Sequence, residues 1–514
     1  MPTRLLFLIL LATSLAADTY PRQPAIDVLH YRFGITLRDD SDEIAGDATI
    51  DVLFVKDGVT GFDLDLADSM HLVDAFPHTG DKIHIDVSPA PHAGERRTFR
   101  VRYHGHPASG LRIGTNKYGD RTYFSSNWPN LAHQWLPTID HPSDKATSEF
   151  LVTAPDKYEV VANGTLEEIT ELGDGMRLTH WKESVPIASW LNAIGVAPFA
   201  HRNFGTAAGI PLQTWVYRQD RDAGIATFET PMRQAIEFYT AHIGPYPYEK
   251  LAGVEAAGVN GGMEHASEVF YGERSVAGRP ASSLVAHEVA HQWFGDSVTE
   301  KDWDDVWLSE GFATYFALLT TEHYEGRDAF VAGLKRSRDT IFAQQKRLPA
   351  EAVLHNNLAD MKNVLNQLIY QKGGWTLHML RGQIGDEAFW AGIREYYRIY
   401  RDSNASTNDF RRVMEEASHT DLAWFFRQWL ERPGFPTLEG KWSYNAEAHR
   451  VEIDLQQTQP GEPYRLPLEI SIADGKVEKI EMTGKQQHFA IASATAPARL
   501  TLDPNTWLLI ENRF

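Results

Sequence analysis

Residues 282–315, SSLVAHEVAHQWFGDSVTEKDWDDVWLSEGFATY, decide the fold of the central part of this chain. The first apolar run of this stretch predicts a helix that stops just before Gly295. On that helix His287 and His291 lie one turn apart on the same face, so both imidazoles can reach one metal ion. Glu288 is rotated by about 100° from His287 but still borders this face.

A second glutamate lies eighteen residues beyond His291, where Glu310 opens another apolar helical run. The segment between them contains Gly and Asp residues that can turn the chain back, so Glu310 can become a third ligand. Zinc held by two His and one Glu keeps its fourth tetrahedral position for water, as in catalytic sites. Zinc lowers the pKa of that water, and Glu288 can take its proton as general base.

The same four residues also have a plainer interpretation, in which His and Glu side chains are scattered over solvated helix surfaces. The HExxH pattern by itself is only moderately specific, because it also arises by chance. On these residues alone, both interpretations stay open.

Composition narrows the classes of partner and of metal ligand. The 514 residues are enough for about three domains, and a hydrophobic content of 43% supports real cores. The net charge of −20 repels nucleic acid and anionic lipid, so we expect neither as a partner. The chain has no cysteine, so any metal must be held by His, Asp or Glu.

The first residues are typical of a secretory signal. Residues 1–17, MPTRLLFLILLATSLAA, combine Arg4, an apolar run and small residues suited to cleavage near Ala16 or Ala17. A buried N-terminal helix is the alternative. No later stretch has the roughly 18 continuous apolar residues of a membrane span. We therefore expect an exported protein, periplasmic or extracellular, without an integral membrane segment after signal removal.

The periodicity of apolar residues predicts three kinds of region. Alternation in the first third, for example over residues 82–87, predicts half-buried strands. Helical spacing runs from about residue 225 to Leu430. Alternation then returns over residues 466–472, and Asp474–Gly475 offers a hairpin turn after it. The sequence therefore predicts a β region, then a mainly helical region, then a second β region.

With these motifs the chain resembles the zinc aminopeptidases of the aminopeptidase N family, which are gluzincin metallopeptidases. HExxH, eighteen residues and Glu form their zinc signature. GGMEH (261–265) and YQKG (370–373) stand where the family has its exopeptidase motif and its tyrosine segment. LPTIDHPSDKAT (136–147) and VVANGTL (160–166) are similar to landmarks of its β domain, and LTLDPNTWLL (500–509) suits a closing β domain.

The resemblance implies a multidomain α+β architecture. It consists of a signal peptide (1–17), an N-terminal β-sheet domain (18–204), a thermolysin-like, mainly helical zinc-protease domain (205–432) and a small C-terminal β-sandwich domain (433–514).

The resemblance also implies roles for the residues of the GGMEH motif. Glu264 would bind the free α-amine of the substrate, which limits cleavage to one residue. Gly261 and Gly262 would leave the backbone open for an extended peptide to pair with it. Met263 and His265 complete this substrate-binding motif.

Two further implications concern the chemistry. His287, His291 and Glu310 would hold one zinc ion per chain, with Glu288 as general base. Tyr370 matches the tyrosine whose hydroxyl donates to the developing oxyanion.

Two residues depart from the family pattern. The final Asn of the exopeptidase motif is His265 here, and Trp128 stands where relatives carry a Glu or Gln that helps to hold the amine. Both departures put amine recognition in doubt.

The predicted activity is zinc-dependent hydrolysis of the N-terminal bond of peptides with free N-termini. A zinc endopeptidase or a lipid-epoxide hydrolase on the same site is the alternative, because fold and metal site alone do not fix the substrate. A binding protein with a relic zinc site is a third reading. The pattern specifies no oligomeric state.

Overall fold

A computed structural model describes residues 18–355, 358, 360–472 and 476–514 of the chain. The predicted signal peptide, residues 1–17, and the predicted turn at Asp474–Gly475 lie outside the described residues.

The N-terminal region is built from strands, as alternation predicts. Its strands are β1 (Ile26–Thr36), β2 (Ile44–Phe54), β3 (Gly61–Asp65), β4 (Met70–Leu72), β5 (His78–Thr79), β6 (Lys82–Asp86), β7 (Arg96–Gly105), β8 (Gly110–Thr115), β9 (Arg121–Ser126), β10 (Lys145–Pro155), β11 (Glu159–Ala162), β12 (Thr165–Gly173), β13 (Met176–Ala188) and β14 (Ile194–Ala197). Seven form one sheet in the order β12-β13-β10-β1-β2-β7-β4, where β1 pairs antiparallel with β2 and parallel with β10. The others form a sheet β11-β14-β9-β8 and a small sheet β3-β6-β5.

A mixed five-stranded sheet joins this region to the helices. Its strands are β15 (Phe199–Ala207), β16 (Ile210–Tyr217), β17 (Leu251–Ala256), β18 (Gly262–Met263) and β19 (Glu268–Gly272), in the order β15-β16-β17-β19-β18. Val254 and Phe270 pack in the N-terminal core, whereas Val216 and Tyr271 pack in the core of the helical region. Both faces of the sheet are therefore buried. The predicted domain boundary after residue 204 falls inside β15.

The helical region contains the three predicted zinc ligands. Its helices are α1 (Arg221–His242), α2 (Ser282–His291), α3 (Trp307–Glu325), α4 (Arg327–Arg347), α5 (Gly373–Ile384), α6 (Asp386–Tyr400), α7 (Thr407–Ser418) and α8 (Ala423–Phe426), and the short parallel strands β20 (Val298–Glu300) and β21 (Ser403–Ala405) lie among them. The helix predicted to run up to Gly295 ends at His291, because the chain turns there. The Asp296 amide donates to the His291 carbonyl at 3.0 Å, and Gly295 has a φ of 116° that favours glycine.

The C-terminal region consists of small sheets. Its strands are β22 (Thr437–Asn445), β23 (Arg450–Gln457), β24 (Leu466–Ile472), β25 (Lys476–Met482), β26 (Gln486–Ala492), β27 (Leu500–Leu502) and β28 (Glu511–Arg513). They form a four-stranded sheet, β26-β23-β22-β28, and a three-stranded sheet, β25-β24-β27. The predicted multidomain α+β architecture is confirmed. No helix of the described part is long and apolar enough to cross a membrane.

Candidate metal centre and active site

Helices α2 and α3 position the three predicted zinc ligands. His287 and His291 lie one turn apart on α2, and Glu310 is in the first turn of α3. Four aromatic side chains pack around these two helices and are at most 2% exposed, as the sequence predicts: Trp293, Phe294, Trp303 and Trp307. The ligands therefore stand on rigid, buried helices rather than on loops.

The three ligand atoms converge on one point. The Nε2 atoms of His287 and His291 are 3.2 Å apart, and the Glu310 Oε2 atom lies 3.3 Å from the first and 3.4 Å from the second. Tetrahedral zinc with bonds of about 2.0–2.1 Å places its ligand atoms about 3.3–3.4 Å apart. Glu310 Oε2 is buried and accepts no hydrogen bond within the described part of the chain. The residues present therefore fit zinc.

The second ring nitrogen of His291 fixes the orientation of the ring. His291 Nδ1 lies 3.2 Å from the Phe294 carbonyl oxygen and 3.0 Å from Ser309 Oγ. Donation from Nδ1 to the carbonyl leaves the Nε2 lone pair directed at the metal position. A side chain at Gly295 would overlap the Ser309 hydroxyl. Sequence reasoning missed Ser309, whose only sequence signal is its place directly before Glu310.

Glu288 flanks the three ligands without joining them. Its side chain lies against the backbone of β18, where a Cβ atom at Gly262 would overlap the Glu288 carboxyl group. Burial raises the pKa of Glu288 well above its usual range, and the neighbouring Glu264 carboxyl raises it further. A carboxylate with a raised pKa is suited to accept and return a proton at neutral pH.

Glu264 lies just beyond the end of β18, with its Oε1 atom 3.9 Å from His291 Nδ1. It is 5% exposed, and burial raises its pKa. Within the described part of the chain, no lysine or arginine pairs with this carboxyl. A buried carboxylate without a permanent cation is suited to a cation that the substrate supplies.

Tyr370 lies in a π-helical turn, Leu368–Lys372, just before α5. Its ring stacks near His287, with ring centroids 6.2 Å apart and planes 18° from parallel. Burial raises the pKa of Tyr370, and the Glu310 carboxyl adds to this effect. The hydroxyl therefore stays protonated and can donate a hydrogen bond.

The tyrosine segment is held in place by Lys372, whose role sequence reasoning missed. The buried Lys372 ammonium donates to the carbonyl oxygens of Arg432 and Gly434, both at 3.0 Å. These carbonyls belong to the loop that leads into the C-terminal region. The loop therefore supports the π-helical turn that carries Tyr370.

One cavity of about 720 Å³ brings most of the predicted site residues together. It is lined by Gly261, Gly262, Glu264, His287, Glu288, His291, Glu310 and Tyr370, among others. Met263 and His265 do not line it. Burial lowers the pKa of His265 to about 3, and its uncharged ring packs against Phe270 at 4.8 Å. Trp128 packs against Trp303, with ring centroids 5.7 Å apart.

Comparison with known families finds two matches. The model of the Peptidase family M1 domain matches residues 228–429, and that of the Peptidase M1 N-terminal domain matches residues 71–191. Together the two matches span more than half of the chain.

Curated relatives are aminopeptidases of greater length. Glutamyl aminopeptidase of Bitis rhinoceros is 26% identical over 73% of this chain and 41% of its own length. Probable aminopeptidase 2 of Sulfurisphaera tokodaii is 27% identical over 67% of this chain and 46% of its own length. The chain therefore spans less than half the length of these two relatives.

Solved structures share the fold. An M1 zinc metallopeptidase from Deinococcus radiodurans aligns with a TM-score of 0.70 and 25% identity, over 80% of this chain and 95% of that one. Legionella pneumophila aminopeptidase A in complex with aspartic acid aligns with a TM-score of 0.80 and 17% identity, over 95% of this chain and 60% of that one. With both M1 domain models matched, this chain belongs to peptidase family M1.

Proposed function

We propose that this protein is an aminopeptidase with one zinc ion per chain, which removes the N-terminal residue from peptides with free N-termini. The observation that carries the proposal is the triangle of ligand atoms 3.2–3.4 Å apart, with the buried Glu264 carboxyl beside it in the same cavity. The aminopeptidase names of the relatives support the same activity.

Three side chains of the chain and the zinc ion that it would hold divide the work of the reaction. When bound, zinc polarises the scissile carbonyl and lowers the pKa of the attacking water. Glu288 takes a proton from that water and passes it to the leaving amine. The Tyr370 hydroxyl donates to the oxyanion as the carbonyl becomes tetrahedral. Glu264 binds the substrate's ammonium group and so sets the distance from the N-terminus to the scissile bond.

The free edge of the five-stranded sheet orients the peptide. β18 is the edge strand of the sheet, and its residues Gly262 and Met263 pair with β19 on one side only. An extended peptide can add to the other side by backbone hydrogen bonds. With the ammonium at Glu264, just past the end of β18, the peptide runs antiparallel to that strand. Its later residues then pass Gly262, Gly261 and Asn260 in turn.

Export is part of this proposal. The charged, apolar and small-residue pattern of residues 1–17 supports a cleaved signal, and a chain without cysteine needs no oxidative folding after export. The proposed location is the periplasm or the extracellular space.

Acetylation of the substrate's N-terminus is expected to lower kcat/KM by about 30-fold or more, since losing one partner of a buried charge pair costs about 2–5 kcal/mol. Acetylation removes the positive charge that Glu264 binds. The measurement is mass spectrometry of timed digests of one ten-residue peptide, free and acetylated. Stepwise loss of residues from the free end is the expected pattern.

The control is Glu264→Ala, which should erase most of the difference between the free and acetylated peptides. Internal cuts in both peptides at similar rates would instead identify an endopeptidase on the same site. No cleavage of any peptide by the zinc-loaded enzyme would count against peptidase activity altogether.

A further inference from the structure

The part of the cavity wall that helix α4 forms carries one cationic side chain. Arg336 on α4 lines the cavity together with Ser337 and Thr340 of the same helix. Among the described residues that line the cavity, Arg336 is the only lysine or arginine, and three glutamates lie on the other walls.

The Arg336 guanidinium is unpaired among the residues that the structure describes. Over the part of the chain that the structure describes, it makes no ion pair and no hydrogen bond. Other arginines of the same helix are paired: Arg327 with Glu322 at 2.8 Å and Arg338 with Asp339 at 3.5 Å. An arginine carries five N–H donors in a planar fork that matches a carboxylate. Those donors are free to bind a ligand in the cavity.

Arg336, on α4, lies beside a part of α3 that is well past the metal position. Its guanidinium approaches Gly333, and Gly333 packs directly on Leu318 of α3. Leu318 is eight residues past Glu310 on the same helix, a distance of about 12 Å at 1.5 Å per residue. Thr314 and Ala317 line the cavity between them. The cavity therefore extends along α3 from the metal position towards Arg336.

In the proposed orientation, the bound peptide runs from the metal position towards Arg336. The proposed contact of the ammonium with Glu264 sends the later residues past Gly261 and Asn260, which line the same cavity as Arg336. An extended chain covers about 3.3–3.6 Å per residue, so three or four residues span about 12 Å. The far end of a short peptide then comes within reach of Arg336.

We propose that Arg336 binds a carboxylate on the leaving part of the peptide and so favours short substrates that end in, or carry, a negative charge there. This inference rests on the proposed aminopeptidase activity. The carboxylate has two possible sources, the C-terminal carboxyl group of a short peptide or an acidic side chain after the scissile bond. Glu264 then binds the positively charged ammonium group at one end of the substrate, and Arg336 binds a negatively charged carboxylate towards the other end.

The test compares kcat/KM for one tetrapeptide of alanine as the free acid and as the C-terminal amide. At low salt the wild type should favour the acid by about 2- to 5-fold, the range for an ion pair made by an exposed arginine. Arg336→Ala should bring this ratio close to one, and Arg336→Glu should invert it. Lys335→Ala, which removes a positive charge from the same helix away from the cavity, should keep the wild-type ratio.

A second pair of substrates separates the two sources of the carboxylate. Tetrapeptide amides with Glu or Gln as the last residue differ only in side-chain charge. A preference for Glu that disappears in Arg336→Ala assigns the contact to the side chain, whereas a preference limited to the free acid assigns it to the C-terminus. If the wild type treats acid and amide alike and Glu and Gln alike, the proposal is overturned. Removal of the first residue from all four peptides would leave the aminopeptidase activity itself intact.

Binding gives a readout that is independent of turnover. Calorimetry with Glu288→Gln should show tighter binding of the tetrapeptide acid than of the amide, by a factor that shrinks as salt rises. The double variant Glu288→Gln/Arg336→Ala should bind both equally. An acid preference that survives in the double variant would place the carboxylate elsewhere and contradict the proposal.

Discussion

Glu288→Gln is expected to lower kcat by about 10²- to 10⁴-fold, the usual contribution of a general base, while its zinc content stays at the wild-type level. The reason is geometric, because Glu288 borders the three converging ligand atoms but is not one of them. Gln keeps the size of the side chain against Gly262 and loses only the ability to take a proton. The measurement is kcat on an aminoacyl amide, with metal analysis of the same preparation.

Glu310→Gln is the matched control, because it makes the same chemical change one helix away. It should weaken zinc binding, since Glu310 supplies the third converging atom. Equal loss of zinc in both variants would mean that the roles of Glu288 and Glu310 are exchanged. Full turnover by Glu288→Gln would show that Glu288 is not the general base.

Tyr370→Phe is expected to lower kcat by about 10²- to 10³-fold with little change in KM, as for one donor to a transition-state oxyanion. The phenylalanine ring can keep the packing near His287, so the variant removes little besides the hydroxyl. Steady-state kinetics on the same aminoacyl amide measures both constants.

Tyr324→Phe serves as the control for this variant. The Tyr324 hydroxyl donates to the Gln234 carbonyl at 3.2 Å on an exposed part of α3, away from the cavity, so kcat should stay near the wild-type value. A kcat unchanged in Tyr370→Phe, with zinc content and circular dichroism as in the wild type, would reduce Tyr370 to a packing residue.

Local periodicity predicts the parts of this site that depend on one helix. The placement of His287 and His291 follows from helical spacing alone, and the structure puts both on α2 as expected. Alternation likewise predicts β6, where Ile83 and Ile85 are buried. Glu310 required the further step that the chain turns back, which the Gly and Asp content of the connection indicated.

The contacts that support the site residues could not be predicted from the sequence, because they join residues distant along the chain. The orientation of His291 depends on Ser309 across the helix pair, and the place of Glu288 depends on the missing side chain of Gly262. Two residues of the GGMEH motif, Met263 and His265, do not line the cavity. Membership of GGMEH implied a substrate contact for His265, whereas the structure places that ring in the core against Phe270.

The most direct test of the zinc assignment is metal analysis of the purified protein, coupled to activity before and after chelation. We expect about one zinc per chain, loss of hydrolysis when the metal is removed, and recovery when zinc is returned, because three protein ligands make a stable site that keeps one position open. Full activity after verified removal of the metal would contradict it.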